Sequence, residues 1–157
     1  MKNKLLALPL IGLAIFSCKK EESKSETTKT DILVQQSWKF DNAGLDIDKN
    51  GAIDNPLPGD LTPSCLTDNT VSFAKDGTGT VDEGAERCDP ADPQTSTFNW
   101  NFTDNETYIN ISGNAITGTN GGKFKILELS NTKFSLSKDT TFPGVPLSVT
   151  VIVNLKH

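Results

Sequence analysis

The chain has 157 residues, enough for one domain, and is 35% hydrophobic and 22% charged, with 12 Gly and 8 Pro. That composition excludes an intrinsically disordered chain and suits a turn-rich β protein. The formal net charge of -5 weighs against a binder of nucleic acid or anionic headgroups, because phosphate recognition demands a cationic surface.

Met1 to Ser17 reads MKNKLLALPLIGLAIFS. Lys2 and Lys4 make a positive start, and Leu5 to Phe16 is an apolar run too short to span a bilayer as a helix. Ser17 and Cys18 follow, a small residue and then a cysteine. This stretch resembles the signal peptide and lipobox of bacterial lipoproteins, although Phe16 departs from the small residue often found two before the cysteine. The resemblance implies cleavage before Cys18 and lipidation of Cys18, palmitate included. The chain is then anchored to the outer membrane of a bacterial cell envelope, on its periplasmic or cell-surface face. A plain secretory signal is the alternative. Losing Lys2 and Lys4 takes the net charge from -5 to -7. Lys19 to Thr30, KKEESKSETTKT, has no apolar residue and reads as a solvated tether. Within it, Lys20-Glu21-Glu22 resembles the Lys-acid-acid signal that sends some Gram-negative lipoproteins to the cell surface. The expected organisation is signal peptide 1–17, lipidated tether 18–30 and folded domain 31–157.

The domain opens on Asp31 to Ser37, which reads as one or two helical turns with Thr30 or Asp31 as N-cap and Ile32 and Leu33 facing the body. Trp38 to Phe40 starts a first strand. Pro56, Pro58, Pro63, Gly51 and Gly59 make Asn42 to Asp68 an irregular segment. Strands are then expected at Thr70 to Ala74, Gly77 to Asp82, Thr95 to Phe102, Glu106 to Ser112, Lys123 to Leu129, Lys133 to Lys138 and Ser148 to Leu155. Alternation supports them: Phe98, Trp100 and Phe102 share one face, and Val149, Val151, Val153 and Leu155 another. Asp76-Gly77, Asp104-Asn105, Asn114 to Gly122 and Ser130-Asn131 supply turns. The fold class is therefore all-β. Eight antiparallel strands joined by hairpins favour an up-and-down barrel, which leaves no exposed edge, with a β-sandwich as the alternative.

Three cysteines leave Cys65 and Cys88 as a pair once Cys18 is assigned to the lipid. In an exported protein such a pair reads as a disulfide, here flanking the hairpin at Lys75-Asp76-Gly77. The alternative is a metal site, against which stands the absence of the paired spacing that zinc ligands show.

The order of features is similar to the lipocalin-like domain family of small bacterial lipoproteins. It runs from the lipobox through a short helix and Trp38, an acidic loop, Cys65, Phe73 with Asp76-Gly77-Thr78, Glu83-Gly84-Ala85, Cys88 and Trp100. The Gly that commonly sits two before the first Trp is Gln36 here. The resemblance implies an eight-stranded lipocalin-like barrel with a short N-terminal helix, and a place in the envelope.

Asp46 to Asp54, DIDKNGAID, resembles the first nine positions of an EF-hand or dockerin calcium loop. Asp46, Asp48, Asn50 and Asp54 fall where oxygens are needed, Ala52 where a carbonyl is used, Gly51 at the sharp turn and Ile53 at the apolar anchor. Position twelve, where an acid should close the site, is Leu57; Asp60 or Asp68 would have to complete it. The competing reading is an acidic turn whose side chains satisfy its own backbone. Asp82, Glu83, Glu86, Asp89 and Asp92 form a second acidic group, read as a hydrated turn. Trp38, Phe98 and Trp100 are candidate lining for a small apolar ligand, or core that fills a small barrel. The sequence offers no G-x-S-x-G, P-loop or zinc-binding His pair, and its one histidine, His157, reads as a frayed last residue, so an enzyme is not expected. Two functions stand: an envelope binding protein for a small apolar molecule or glycan, with calcium ordering a loop, or an accessory subunit with a filled barrel that docks a partner envelope protein.

Overall fold

The computed structural model describes residues 27–113, 121–141 and 148–157. The expected signal peptide, Cys18 and most of the expected tether lie outside the described residues, as does most of the expected Asn114 to Gly122 turn.

The first helix, α1, spans Lys29–Val34. Its N-cap is Thr28 rather than Thr30 or Asp31. The reason is the position of Asp31 at the third helical residue: its amide donates to the Thr28 hydroxyl at 3.1 Å, and its carboxylate accepts from the Thr28 amide at 3.3 Å. This reciprocal pair satisfies two amides that the helix start would otherwise leave open. Leu33 is fully buried, and the Trp38 indole N–H donates to the Leu33 carbonyl at 2.9 Å, so α1 is pinned to the start of the first strand.

Nine strands follow: β1 Trp38–Asp46, β2 Asn55–Pro56, β3 Thr70–Phe73, β4 Thr78–Asp82, β5 Thr95–Thr103, β6 Tyr108–Ile111, β7 Gly122–Leu129, β8 Lys133–Thr141 and β9 Ser148–Lys156. All pair antiparallel. The ring runs β1-β3-β4-β5-β6-β7-β8-β9 and closes through β1 on β9, from Lys39 opposite Lys156 to Asp46 opposite Thr150. This is a closed eight-stranded barrel, and the sandwich alternative falls. The two-residue β2 is an addition that pairs with Gly44 and Leu45 beside the ring.

Several boundaries differ from the sequence expectation, most by one residue; β8 runs on three residues to Thr141 along its ladder with β9, and three others have a plain cause. β1 continues to Asp46 because β9 offers it a ladder past the register shift after Phe40; the only apolar pair in Asn42 to Asp46, Ala43 and Leu45, is too short to mark a strand by itself. β4 starts at Thr78, since Gly77 takes φ 86° in the turn. β6 starts at Tyr108, since Asp104, Asn105 and Glu106 take φ of 51°, 54° and 59°, a left-handed run no strand can contain.

The interior is aromatic. Phe73 on β3 meets Phe98 and Trp100 on β5 at ring-centroid distances of 5.3 and 5.7 Å. It also meets Phe134 on β8, three strands away round the ring, at 6.0 Å. Trp38 stacks beside Phe134 at 5.5 Å. One side chain thus touches well-separated walls, and the lumen at this level is occupied by rings. His157 is not frayed: its ring lies 3.7 Å from that of Trp38, and its Nδ1 is 2.9 Å from the Ser37 carbonyl. Outside the ring, Cys65 in the one-turn helix α2 (Ser64–Thr67) is bonded to Cys88, with Cα atoms 5.1 Å apart. The bridge brackets the β3–β4 hairpin, as expected, and a closed loop of this length stabilises by about 3 kcal/mol in the chain-entropy account.

Candidate functional site

β1 ends and β2 begins on the same ladder, so Ile47 to Asp54 is the tip of a hairpin rather than a free loop. The Asp54 amide donates to the Leu45 carbonyl and the Leu57 amide to the Ala43 carbonyl, both at 2.9 Å. Gly44 makes this possible: an added Cβ would meet Ile53 Cγ2 at 2.2 Å and the Asn55 carbonyl at 2.6 Å. Closing the hairpin brings the Asp46, Asp48 and Asp54 carboxylates together, with one oxygen from each within 4.8 Å of the others.

Asp46 is buried at 4% exposure, and its two oxygens accept from the Asn50 and Gly51 amides at 3.1 and 2.9 Å. Asp48 accepts from the Asn50 amide at 3.1 Å and from its side-chain N–H at 2.9 Å. Asp54 accepts from the Ile47 amide at 2.7 Å. Asn50 Oδ1 accepts from the Ala52 amide at 2.8 Å. Each of these is the local bonding of an acidic turn. The same bonds hold three carboxylates close to one another, and carboxylate oxygens are the donors a hard cation such as calcium takes. Asp46, Asp48 and Asp54 are the residues that could hold it. Of the acids considered to complete the site, Asp68 is committed elsewhere: its Oδ2 accepts from the Ala85 and Glu86 amides at 2.7 and 2.9 Å. Leu57 packs against the hydrophobic core.

The second acidic group is bonded within its own loop and to the segment around α2. Asp82 accepts from the Gly84 amide and the Gln94 side chain, Glu86 from the Ser64 hydroxyl and Asp89 from the Ala91 amide. The Gln94 side chain, with the Gly84 amide, holds the Asp82 carboxyl below its ordinary range. Lys75 lowers Asp31 to about 2 with help from Thr28, Thr78 lowers Asp76, and Lys123 lowers Asp104. All four shifts favour the ionised form; a general acid needs the reverse.

Trp38, Phe98 and Trp100 are 0%, 4% and 7% exposed. The fold brings these three together in the packed interior, the Trp100 N–H donating to the Thr78 carbonyl at 2.9 Å.

A groove on the outside of the barrel was not legible as a site. Lys123 and Lys125 flank the core residue Phe124 on β7, so strand alternation turns both outward. Tyr108 and Ser137 pair with Lys125 across the ladders and share its face. The row Asp46, Thr150 and Asp139 continues that face across β1, β9 and β8. Gly51 of the acidic hairpin sits over Leu127, the extra residue where the β7–β8 register shifts. The space between hairpin and sheet has a volume of about 370 Å³. Period-two reading of β7 marks its lysines as outward, but nothing local brings Lys49 to them; Lys138, next to outward Ser137 on β8, turns to the inner face over the Phe124 ring.

No family model matches the chain, and no curated protein matches it. Among the described residues, no helix is long and apolar enough to cross a membrane.

Proposed function

We propose that the chain is a lipid-anchored protein of the bacterial cell envelope, lipocalin-like in build, whose barrel is a rigid scaffold for recognition on its outer surface. Cys18 carries the lipid, and residues 19–27 hold the barrel off the membrane. The observation that supports surface recognition is the contact of Phe73 with both β5 and β8. A lumen bridged by rings at this level has no room there for apolar cargo. Recognition then falls to the acidic hairpin and the face beside it, either for a glycan-like small molecule or for a partner protein in the envelope. Calcium has a place in this reading as the ion that cross-links Asp46, Asp48 and Asp54 and stiffens the hairpin. The convergence of their carboxylates within 4.8 Å supports it.

The test is native mass spectrometry of the mature chain extracted in detergent. The expected species is the lipidated polypeptide, lighter by two hydrogens for the Cys65–Cys88 bond, with no apolar small molecule retained. A stoichiometric apolar adduct that survives detergent exchange would overturn the reading and return the lumen to the role of binding site.

A further inference from the structure

The ring is closed unevenly. β8 and β9 pair along their whole length, and β1 follows β9 from Lys39 to Asp46. On its other edge, among the described residues, β1 pairs with β3 only at Trp38 opposite Val71 and Lys39 opposite Thr70. Pairing on that edge resumes at the Ala43 carbonyl, which accepts from the Leu57 amide, and at Gly44 and Leu45 opposite β2. Between the two stretches, Phe40 to Asn42 have no strand beside them on that edge. The chain returns from Leu57, beside Ala43, to Thr70, beside Lys39, through α2, which packs against β1. A helical turn uses its amides and carbonyls on itself, so it adds no ladder to the wall.

What holds α2 down is concentrated in one place. The disulfide ties Cys65 of α2 to Cys88 in the loop between β4 and β5. Among the described residues, the side-chain hydrogen bonds that tie Ser64 to Asn69 to the rest of the chain run to the same loop. The Ser64 hydroxyl donates to Glu86 at 2.7 Å, Asp68 Oδ2 accepts from the Ala85 and Glu86 amides at 2.7 and 2.9 Å, and the Asn69 side chain donates to Glu83 at 3.3 Å. Closure also leaves Asp68 Oδ1 and Asn69 Oδ1 buried with no donor among the described residues. A buried acceptor without a donor has lost its bonds to water, so both oxygens favour opening. Asp68, Glu83 and Glu86 bring three carboxylates to this clasp, and none of them forms an ion pair among the described residues. The loop itself is a fixed post: the Glu83 amide donates to the Gln94 carbonyl at 2.9 Å, and Arg87 to the Asp92 carbonyl at 2.8 Å. The covalent bond is therefore the main tie on α2. It lies outside the ring with Cys88 exposed and Cys65 half-buried, within reach of a reductant.

We infer that the Cys65–Cys88 bond is a redox-sensitive clasp on the seam between β1 and β3, and that its reduction releases the α2 segment while the rest of the ring stays laddered. The co-reactant is a dithiol. One of its thiolates attacks the exposed Cys88 sulfur, a mixed disulfide forms, and Cys65 leaves as a thiolate that takes up a proton. The second thiolate of the reductant then attacks its own sulfur in the mixed disulfide and frees Cys88. The dithiol ends as a disulfide and the two cysteines end as thiols, two electrons and two protons having passed to the protein. Once released, the segment lets water reach Asp68 and Asn69 and uncovers the edge of β1 from Phe40 to Asn42. The inference concerns the wall between β1 and β3 and does not depend on what the outer surface recognises.

The experiment is backbone-amide hydrogen exchange of the mature chain in detergent, oxidised and after treatment with dithiothreitol, with the thiols formed counted by mass after alkylation of an aliquot. The amides to follow are those of Leu66, Asp68, Ala85 and Glu86, which donate to Pro63, Ser64 and Asp68. Reduction should bring them to within about tenfold of free-peptide rates. The β8–β9 ladder loses the stabilisation that the closed loop supplied, yet should stay about a thousandfold or more slower than free peptide. Removing dithiothreitol and re-oxidising should restore the first rates. Ser64→Ala, which deletes one hydrogen bond of the clasp and leaves the disulfide in place, should keep the oxidised rates within about threefold of wild type. A bond that resists dithiothreitol in the folded chain would overturn the inference. So would α2 amides that stay as protected as the β8–β9 ladder after reduction, or a ladder that loses its protection along with them, which would make the bond a brace of the whole fold. Opening of the clasp in oxidised Ser64→Ala would also overturn it, by moving the tie from the disulfide to the hydrogen bond.

Discussion

Replacing Phe73 with Ala tests the packed lumen directly. Phe73 is 5% exposed and touches Phe98, Trp100 and Phe134. Truncating a buried Phe costs about 3–5 kcal/mol, the spread reflecting how far neighbours collapse into the void. Here collapse is resisted from two sides. Trp100 is held by its bond to the Thr78 carbonyl, and the Phe98 ring lies over Gly79, where even a Cβ would come within 2.1 Å of it. Phe134, on β8, belongs to a strand laddered on both sides. The loss should therefore fall near the upper half of the range, about 4 kcal/mol. Chemical denaturation followed by tryptophan fluorescence, with the disulfide intact, measures it; the midpoint should fall with little change in slope. A loss below about 1.5 kcal/mol would mean that the rings do not fill the lumen, since that is less than the transfer free energy of the side chain itself. The lumen would then have room for apolar cargo.

Two further outcomes follow from the hairpin and the N-terminus. Calcium should raise the melting temperature of the wild-type chain, by the equivalent of about 2.7 kcal/mol at a hundred times Kd, and Asp48→Ala should abolish that rise. An equal rise in the variant would remove the cation from the Asp46–Asp54 hairpin. Cys18→Ala in the full-length chain should move the protein from the detergent phase to the aqueous phase on phase partitioning; continued detergent partitioning would sink the lipid-anchor proposal.

Much of the barrel was legible because its signals are local. Phe98, Trp100 and Phe102 alternate with Asn99 and Asn101, and Lys75-Asp76-Gly77 turns where Gly77 can take positive φ; neither needs a distant partner to be read. The pairing of Cys65 with Cys88 was legible by count. The extent of β1 was not, because Asn42 to Asp46 become a strand only through the ladder that β9 provides. The acidic hairpin was legible as a spacing of oxygens, but its convergence depends on β2, a two-residue strand containing Pro56 that no propensity would nominate.

What the sequence by itself determined is the set of alternating faces, the turns between them and the one covalent bridge, all consequences of side-chain period and backbone sterics over a few residues. What only the tertiary structure decided is closure and filling. β1 on β9 turned a row of hairpins into a ring, and Phe73 reaching Phe134 three strands away filled it. Closure also set Lys49 of a loop at the same groove as Lys123 and Lys125 of β7, a juxtaposition across roughly seventy residues of chain that no local pattern encodes. Contacts of that kind depend on which strands are neighbours, and neighbourhood is a property of the closed sheet rather than of any segment within it.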